Sequence, residues 1–332
     1  MRFFRLLPSV VGTALAAGMT GCQEPAATSA AVQRLFADPP REYSSGPLWV
    51  WNDQITKEQV VRTLRDLHQQ HIRQVWVHPR PGLMTPYLSE EWFELWQVAL
   101  DENSYPSGFA GGFVPETMPE SRGQGLAISQ ADKAPPWSPD VAAVYRLEGE
   151  GYEDVTGQVR GGQELPQGKY AVCRVVLAPI TAWHGQHFYV DLMRPGVTEK
   201  FIEITLEGYR KHFGSEFGKH VPGTFTDEPK IQPAGGLPWT PDLPDAFMKR
   251  KGYALTDHLV CLFLEVGDWR KVRHDYYAVL LDLFNERWGR PMHEWCQANN
   301  LAFTGHYWEH EWPRCLRVPD NMSLYQWFHV PG

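Results

Sequence analysis

The sequence predicts an α/β fold, an incomplete (β/α)8 barrel carrying an inserted antiparallel β module. Three observations lead there. From residue 47 to residue 100, short apolar runs alternate with segments of helical period, the order in which β–α–β units build a parallel sheet. Two later runs, Val221 to Pro229 and Leu301 to Glu311, are β-rich stretches that end in acids, as barrel strands do when they deliver carboxylates to the C-terminal mouth. Between about residues 141 and 187 the pattern changes to short β runs separated by Gly- and Asp-rich turns.

Pro47 to Trp51 is the first strand. Thr56 reads as an N-cap, with Glu58 and Gln59 in the first turn, and Val60, Val61, Leu64, Leu67 and His68 recur at helical spacing over 56–70. Ile72 to Val77 is the second strand, followed by His78-Pro79-Arg80-Pro81-Gly82. Ser89 caps a helix to about Leu100, with Trp92, Phe93, Trp96 and Leu100 on one face. That helix runs straight into the polar stretch from Asp101 to Gly112, so a third strand is expected to be missing.

Val144 to Leu147 and Tyr170 to Leu177 are strands of the inserted module, and Tyr189 to Leu192 is the strand that returns to the barrel. Thr198 caps a helix to about Phe213, and Val221 to Thr226 is the next strand. Helices at about 244–251 and 269–299 follow, then strands at 301–305 and 322–327. Asp227-Glu228-Pro229 stops its strand abruptly, because proline cannot continue a ladder. Such strand-end acids serve either as helix N-caps or as the paired carboxyls of glycoside hydrolysis.

Composition narrows the function classes. The 332 residues carry 39 Asp and Glu against 31 Lys and Arg, a net charge of −8 with no basic run, which argues against a nucleic-acid partner. Aromatic residues make up 13% of the chain; their faces suit sugar rings, although most are expected to fill the core. Arg2 and Arg5, the apolar run from Leu6 to Thr20 and the ending Thr20-Gly21-Cys22 read as an export signal (1–22) with a lipoprotein box. Cys22 is the expected lipidation site and 23–40 a flexible tether, which puts the protein on a bacterial cell envelope. The other cysteines, Cys173, Cys261, Cys296 and Cys315, match no zinc spacing and are either scattered buried thiols or include a disulfide.

Read in order, Pro47 to Asn52, Val77 to Leu83, Asp101 to Gly112, Tyr189 to Leu192, Phe225 to Pro229 and Thr304 to His306 resemble exported glycoside hydrolases related to the α-L-rhamnosidases of family 106. The resemblance spans residue 41 to the end. It implies a (β/α)8 catalytic domain, inversion, dependence on Ca2+ and an oligo- or polysaccharide substrate. A hydrophobic third strand before Asp101, an eighth strand and C-terminal β domains belong to that family and are not recognisable here. The chain therefore reads as a shortened hydrolase, an inactive carbohydrate-binding surface protein or a gene fragment.

Glu228 is the expected general acid, in a hydrophobic surround that includes Phe225. Glu309 or Glu311 is the expected base, with Glu309 nearer the strand end. Inversion requires the two carboxyls to stand roughly 6.5–9.5 Å apart. Trp51, His78, Arg80, Asp227, His306 and Trp308 are expected to contact sugar, as are Asp101, Glu102, Asn103 and Tyr105, whose oxygens also suit Ca2+. The His and Glu residues at 306–311 lack the strict two-His helical motif of a catalytic zinc site.

Overall fold

The structure, a computed structural model, describes residues 28–102, 107–110, 119–308 and 316–332. Cys22, Asn103, Tyr105, Glu309, Glu311 and Cys315 lie outside the described residues. The chain forms two units, which meet in sequence between Tyr43 and Ser44.

In the first unit, Ser29–Ala37 is helix α1, where the sequence suggested a flexible tether. Thr28 Oγ1 accepts a hydrogen bond from Ala31 N at 3.2 Å, and Ala, Leu, Gln and Arg behind that cap are good helix formers. None of its residues is buried.

The second unit is mixed α/β, with two sheets. The larger one is wholly parallel and contains β1 (Leu48–Trp51), β2 (Val75–Pro79) and β3 (Ser107–Ala110). Strand β3 corrects the expected gap, since Ser107-Gly108-Phe109-Ala110 pairs with β2. A run of four residues containing Ser and Gly has too little β propensity to stand out, and pairing on both sides supplies what propensity lacks. Three more parallel strands complete this sheet, in the order β1-β2-β3-β8-β10-β11. They are β8 (Gly223–Asp227), β10 (Ala302–His306) and β11 (Val330–Pro331). Among the described residues this is a sequential parallel sheet, not a closed eight-strand cylinder.

The smaller sheet is antiparallel. It contains β4 (Gln124–Ala131), β5 (Val141–Glu148), β6 (Gly151–Asp154), β7 (Tyr170–Leu177) and β9 (Leu237–Trp239), in the order β6-β5-β7-β4-β9. The inserted module thus begins about 17 residues earlier than expected and recruits β9 from beyond β8. Alternation on β5 and β7 gives the sheet two buried faces. Ala143, Tyr145, Ala171 and Cys173 join the main core, while Val144, Tyr170 and Val172 form a second cluster with Val155 and Val159.

Helix α2 (Lys57–Gln69) opens on a full capping box between Thr56 and Gln59. Helix α3 (Glu90–Asp101) is capped by Ser89 and buries Trp92, Phe93, Trp96 and Leu100. Helix α4 (Thr156–Arg160) lies in the antiparallel module, and α5 (Val197–Phe201) continues through a π turn into α6 (Glu207–Phe213). Gly196 stands at the start of α5 and Thr198 lies buried inside it, which corrects the expected cap. Helix α7 (Leu243–Lys251), then α8 (Trp269–Phe284) and α9 (Arg290–Ala298) joined by a π turn, lead to β10. Helix α10 (Asn321–Tyr325) replaces the strand expected at 322–327, because Asp320 Oδ1 caps Ser323 N at 3.1 Å.

Aromatic packing holds the helices to the parallel sheet. Trp92 meets Trp51 with ring centroids 5.0 Å apart, and its Nε1–H donates to the Tyr209 hydroxyl at 3.0 Å. Trp96 meets Tyr209 at 5.1 Å. Fully burying a side chain of this size is worth about 1.5–3 kcal/mol. Cys173, Cys261 and Cys296 are free and buried, and burial raises all three thiol pKa values. Among the described residues no helix is long and apolar enough to cross a membrane.

Candidate functional site at the strand ends

The site follows from alternation along three strands. On β2, Val75 and Val77 are buried, so Trp76 and His78 take the opposite face, and Arg80 follows two residues on. On β8, Phe225 and Asp227 share a face, and His306 ends β10 as the register partner of Asp227. Contacts show that these residues meet. Trp76 lies 5.8 Å from Phe225, Phe225 lies 5.8 Å from His306, and His306 Nε2 lies 3.2 Å from Asp227 Oδ1.

Register also brings Arg80 to Asp227. Val77 pairs with Phe109, which pairs with Thr224, so Arg80 stands level with Asp227 two strands away. That separation is roughly 10 Å between backbones, a span an extended arginine covers. Arg80 Nη2–H donates to Asp227 Oδ2 at 2.6 Å. A charge-assisted bond of this length fixes the carboxylate direction. Gly305 keeps β8 and β10 close here: its φ is +136°, and a Cβ would stand 2.1 Å from the Thr226 carbonyl oxygen.

His78 is buried beside this pair, with Nε2 3.9 Å from Asp227 Oδ2, beyond hydrogen-bond reach. Burial, and then the Arg80 charge, push its pKa down to about 4 against the pull of Asp227, so the imidazole is neutral at neutral pH. Burial raises the Tyr189 phenol to about 12, with smaller contributions in the same direction from Asp227 and Glu228. Tyr189 therefore remains a proton-bearing hydroxyl.

A cavity of about 220 Å³ opens over these groups, walled by His78, Arg80, Phe225, Asp227, Tyr189 and Trp183. A small pocket with aromatic walls and one oriented carboxylate suits a single small polyhydroxylated ring, whose C–H faces meet the aromatic rings and whose hydroxyls meet the charges. Trp183 and Tyr189 were not among the expected site residues. Tyr189 belongs to the stretch read as a returning strand. Instead, Gly123 N donates to Tyr189 O at 3.0 Å and Asp191 N donates to Ser121 O at 2.8 Å, so residues 188–192 pair beside β4 rather than in the parallel sheet. No local pattern marks Trp183, which sits on a short turn.

The other expected residues divide clearly. Glu228 follows Asp227 and is half-buried; its N–H donates to His306 O at 3.1 Å, and its φ of +52° turns it off the strand. It is not among the cavity's described lining. Trp51 is 1% exposed and belongs to the core against Trp92, which removes it from sugar contact. Trp308 packs under Arg317, 3.9 Å from its guanidinium carbon, and not in the cavity wall.

Asp101 and Glu102 lie at the end of α3. A crossover helix runs against its strands, so its C-terminus faces the strand starts, opposite the Asp227 mouth. There Asp101 accepts from Gln97 at 2.7 Å and Glu102 pairs with Arg65 at 2.5 Å. These two acids do not converge with the cavity carboxylate. Among the described residues no group of three or more His, Cys, Asp or Glu side chains forms a metal cage.

No protein-family model and no curated protein matches the chain. Among solved structures it is similar to a rhamnosidase from Novosphingobium sp. PP1Y, at 14% identity with a TM-score of 0.62. The match covers 90% of this chain and 49% of that protein, so the chain spans about half its length. At this identity the likeness speaks for the fold alone.

Proposed function

We propose that the chain is a glycoside hydrolase-like protein that takes a terminal sugar of an oligo- or polysaccharide into the strand-end cavity and cleaves an α-L-rhamnosidic or related bond with inversion. The observation that carries this reading is the Asp227 carboxylate, presented at the C-terminal ends of parallel strands between Arg80 and His306 in an aromatic-walled cavity. In this reading the parallel sheet is part of a (β/α)8 barrel, whose chemistry sits at that end.

Asp227, already tied to a guanidinium, accepts sugar hydroxyls and orients the ring. Glu228 is the general acid that protonates the leaving oxygen, and its left-handed backbone is the kind of local strain that clusters at functional positions. Glu309, with Glu311 as the alternative, activates water on the opposite face of the ring. Ca2+, which the resemblance implies, is given no step in this reading; Asp101 and Glu102, two of its expected oxygen donors, bond Gln97 and Arg65. Cys22 carries lipid and tethers the protein to the cell envelope; mass spectrometry of the mature N-terminus tests that.

Turnover of 4-nitrophenyl α-L-rhamnoside and of rhamnose-rich pectin tests the chemistry. Glu228→Gln is expected to lower the rate on pectin by roughly 10²–10⁴-fold while sugar binding persists. A variant within a few-fold of the parent removes Glu228 from the role. A second reading, a surface protein that binds carbohydrate without cleaving it, is favoured by the absence of Glu228 from the described cavity lining. Binding without turnover by the parent chain decides for it.

A further inference from the structure

The strand-end cavity does not stop at Asp227. A second groove of about 610 Å³ runs outward from it between the loop at 79–87 and the segment at 183–190. The two share Pro79, Arg80, Pro81, Trp183 and Tyr189, so the larger adjoins the smaller along that wall. The inner chamber falls below the roughly 300–1,000 Å³ of pockets that hold drug-sized ligands, and the outer one lies within that range. A single ring is of a size to fill the first, and the second is the adjoining space for whatever is bonded to that ring.

Trp183 stands at the junction. It is 64% exposed, although a ring of this size is usually largely covered in a folded protein. Its position is built rather than incidental. Thr181 Oγ1 accepts from His184 N at 3.3 Å, and Gln186 N donates to Thr181 O at 2.9 Å. Thr181 N donates to His187 O at 3.0 Å, and Gly185 closes the turn at φ +62°. The Arg80 guanidinium, which also holds Asp227, lies 5.8 Å from the centre of the Trp183 ring. An exposed aromatic ring on a fixed turn, with the Arg80 guanidinium over it and His184 in the lining of the same groove, matches a pyranose that stacks by its C–H face and donates hydroxyls sideways.

We propose that Trp183 is the platform of a second sugar subsite, and that the ligand is a chain of at least two linked pyranoses, the terminal one beside Asp227 and the next on Trp183. The proposal rests on the sugar-binding reading of the inner cavity and adds the place of the second sugar and a residue that selects for it.

Calorimetric titration of the full chain with L-rhamnose and with a thio-linked α-L-rhamnosyl disaccharide, whose sulfur bridge resists hydrolysis, tests it. The disaccharide is expected to bind more tightly than the monosaccharide. Trp183→Ala is expected to weaken the disaccharide by about 2- to 12-fold, the equivalent of one aromatic stacking contact, and the monosaccharide by less. Trp183→Phe is expected to recover part of the difference. Equal affinity for the two sugars, or an equal loss on both in Trp183→Ala, overturns the second subsite and leaves the inner site standing. Binding of neither sugar overturns both.

Discussion

Replacing His78 by Phe is expected to change how the protein's stability responds to acid. In the fold, burial and the neighbouring Arg80 hold the His78 pKa at about 4, whereas the unfolded chain returns it to its ordinary 6.5. The unfolded state therefore takes up a proton that the folded state refuses. His78's contribution is fully present above pH 6.5 and is lost as pH falls toward 4. At roughly 1.4 kcal/mol per pH unit, the loss is about 3 kcal/mol. Phe fills a similar volume and does not titrate. Urea unfolding of the parent and of His78→Phe at about pH 7, 5.5 and 4 measures the effect. The variant should gain about 3 kcal/mol on the parent between the first and last points. A difference between the two that does not change with pH refutes the argument, because it means that His78 meets the same surroundings folded and unfolded.

Other outcomes follow from the same structure. Burial raises Asp191 to about 6 from its ordinary 3.8, so its ionisation costs stability as pH rises through that window; Asp191→Asn should gain up to about 3 kcal/mol at neutral pH and nothing below about pH 4, read by the same unfolding curves. His78 and Asp191 have opposite signs over the same range, so the parent's own profile should be flatter than that of either variant. Gly305→Ala forces a Cβ toward the Thr226 carbonyl at a φ of +136° and should cost at least about 1–3 kcal/mol, measured by thermal melting. Arg80→Gln removes the charge that orients Asp227 and should weaken sugar affinity by roughly 10- to 100-fold, measured by calorimetry.

Local chemistry made much of the fold legible. Thr56 and Gln59 cap α2 as their spacing indicates, and the Trp92, Phe93, Trp96 and Leu100 stripe faces the core. The runs ending at Trp51, at Asp227 and at His306 are parallel strands, because short β-branched or aromatic runs bounded by turns and prolines leave few alternatives. His78, Arg80, Asp227 and His306 were each readable as strand-end polar groups.

Which of them meet was decided by register, which sequence spacing does not encode. Strand β3 shows this most plainly: four residues of weak propensity become a strand only because β2 and β8 offer ladders on both sides. Its insertion sets Arg80 level with Asp227, and it leaves Asp101 and Glu102 at the far end of α3, where their neighbours are Gln97 and Arg65. Trp51 and Trp183 are the same residue type with opposite fates, one sealed against Trp92 and the other open on a turn beside Arg80. Sequence alone sets each residue's chemistry and its local backbone preference. Whether an aromatic ring meets the core or the solvent depends on long-range packing, and only the tertiary structure supplies that.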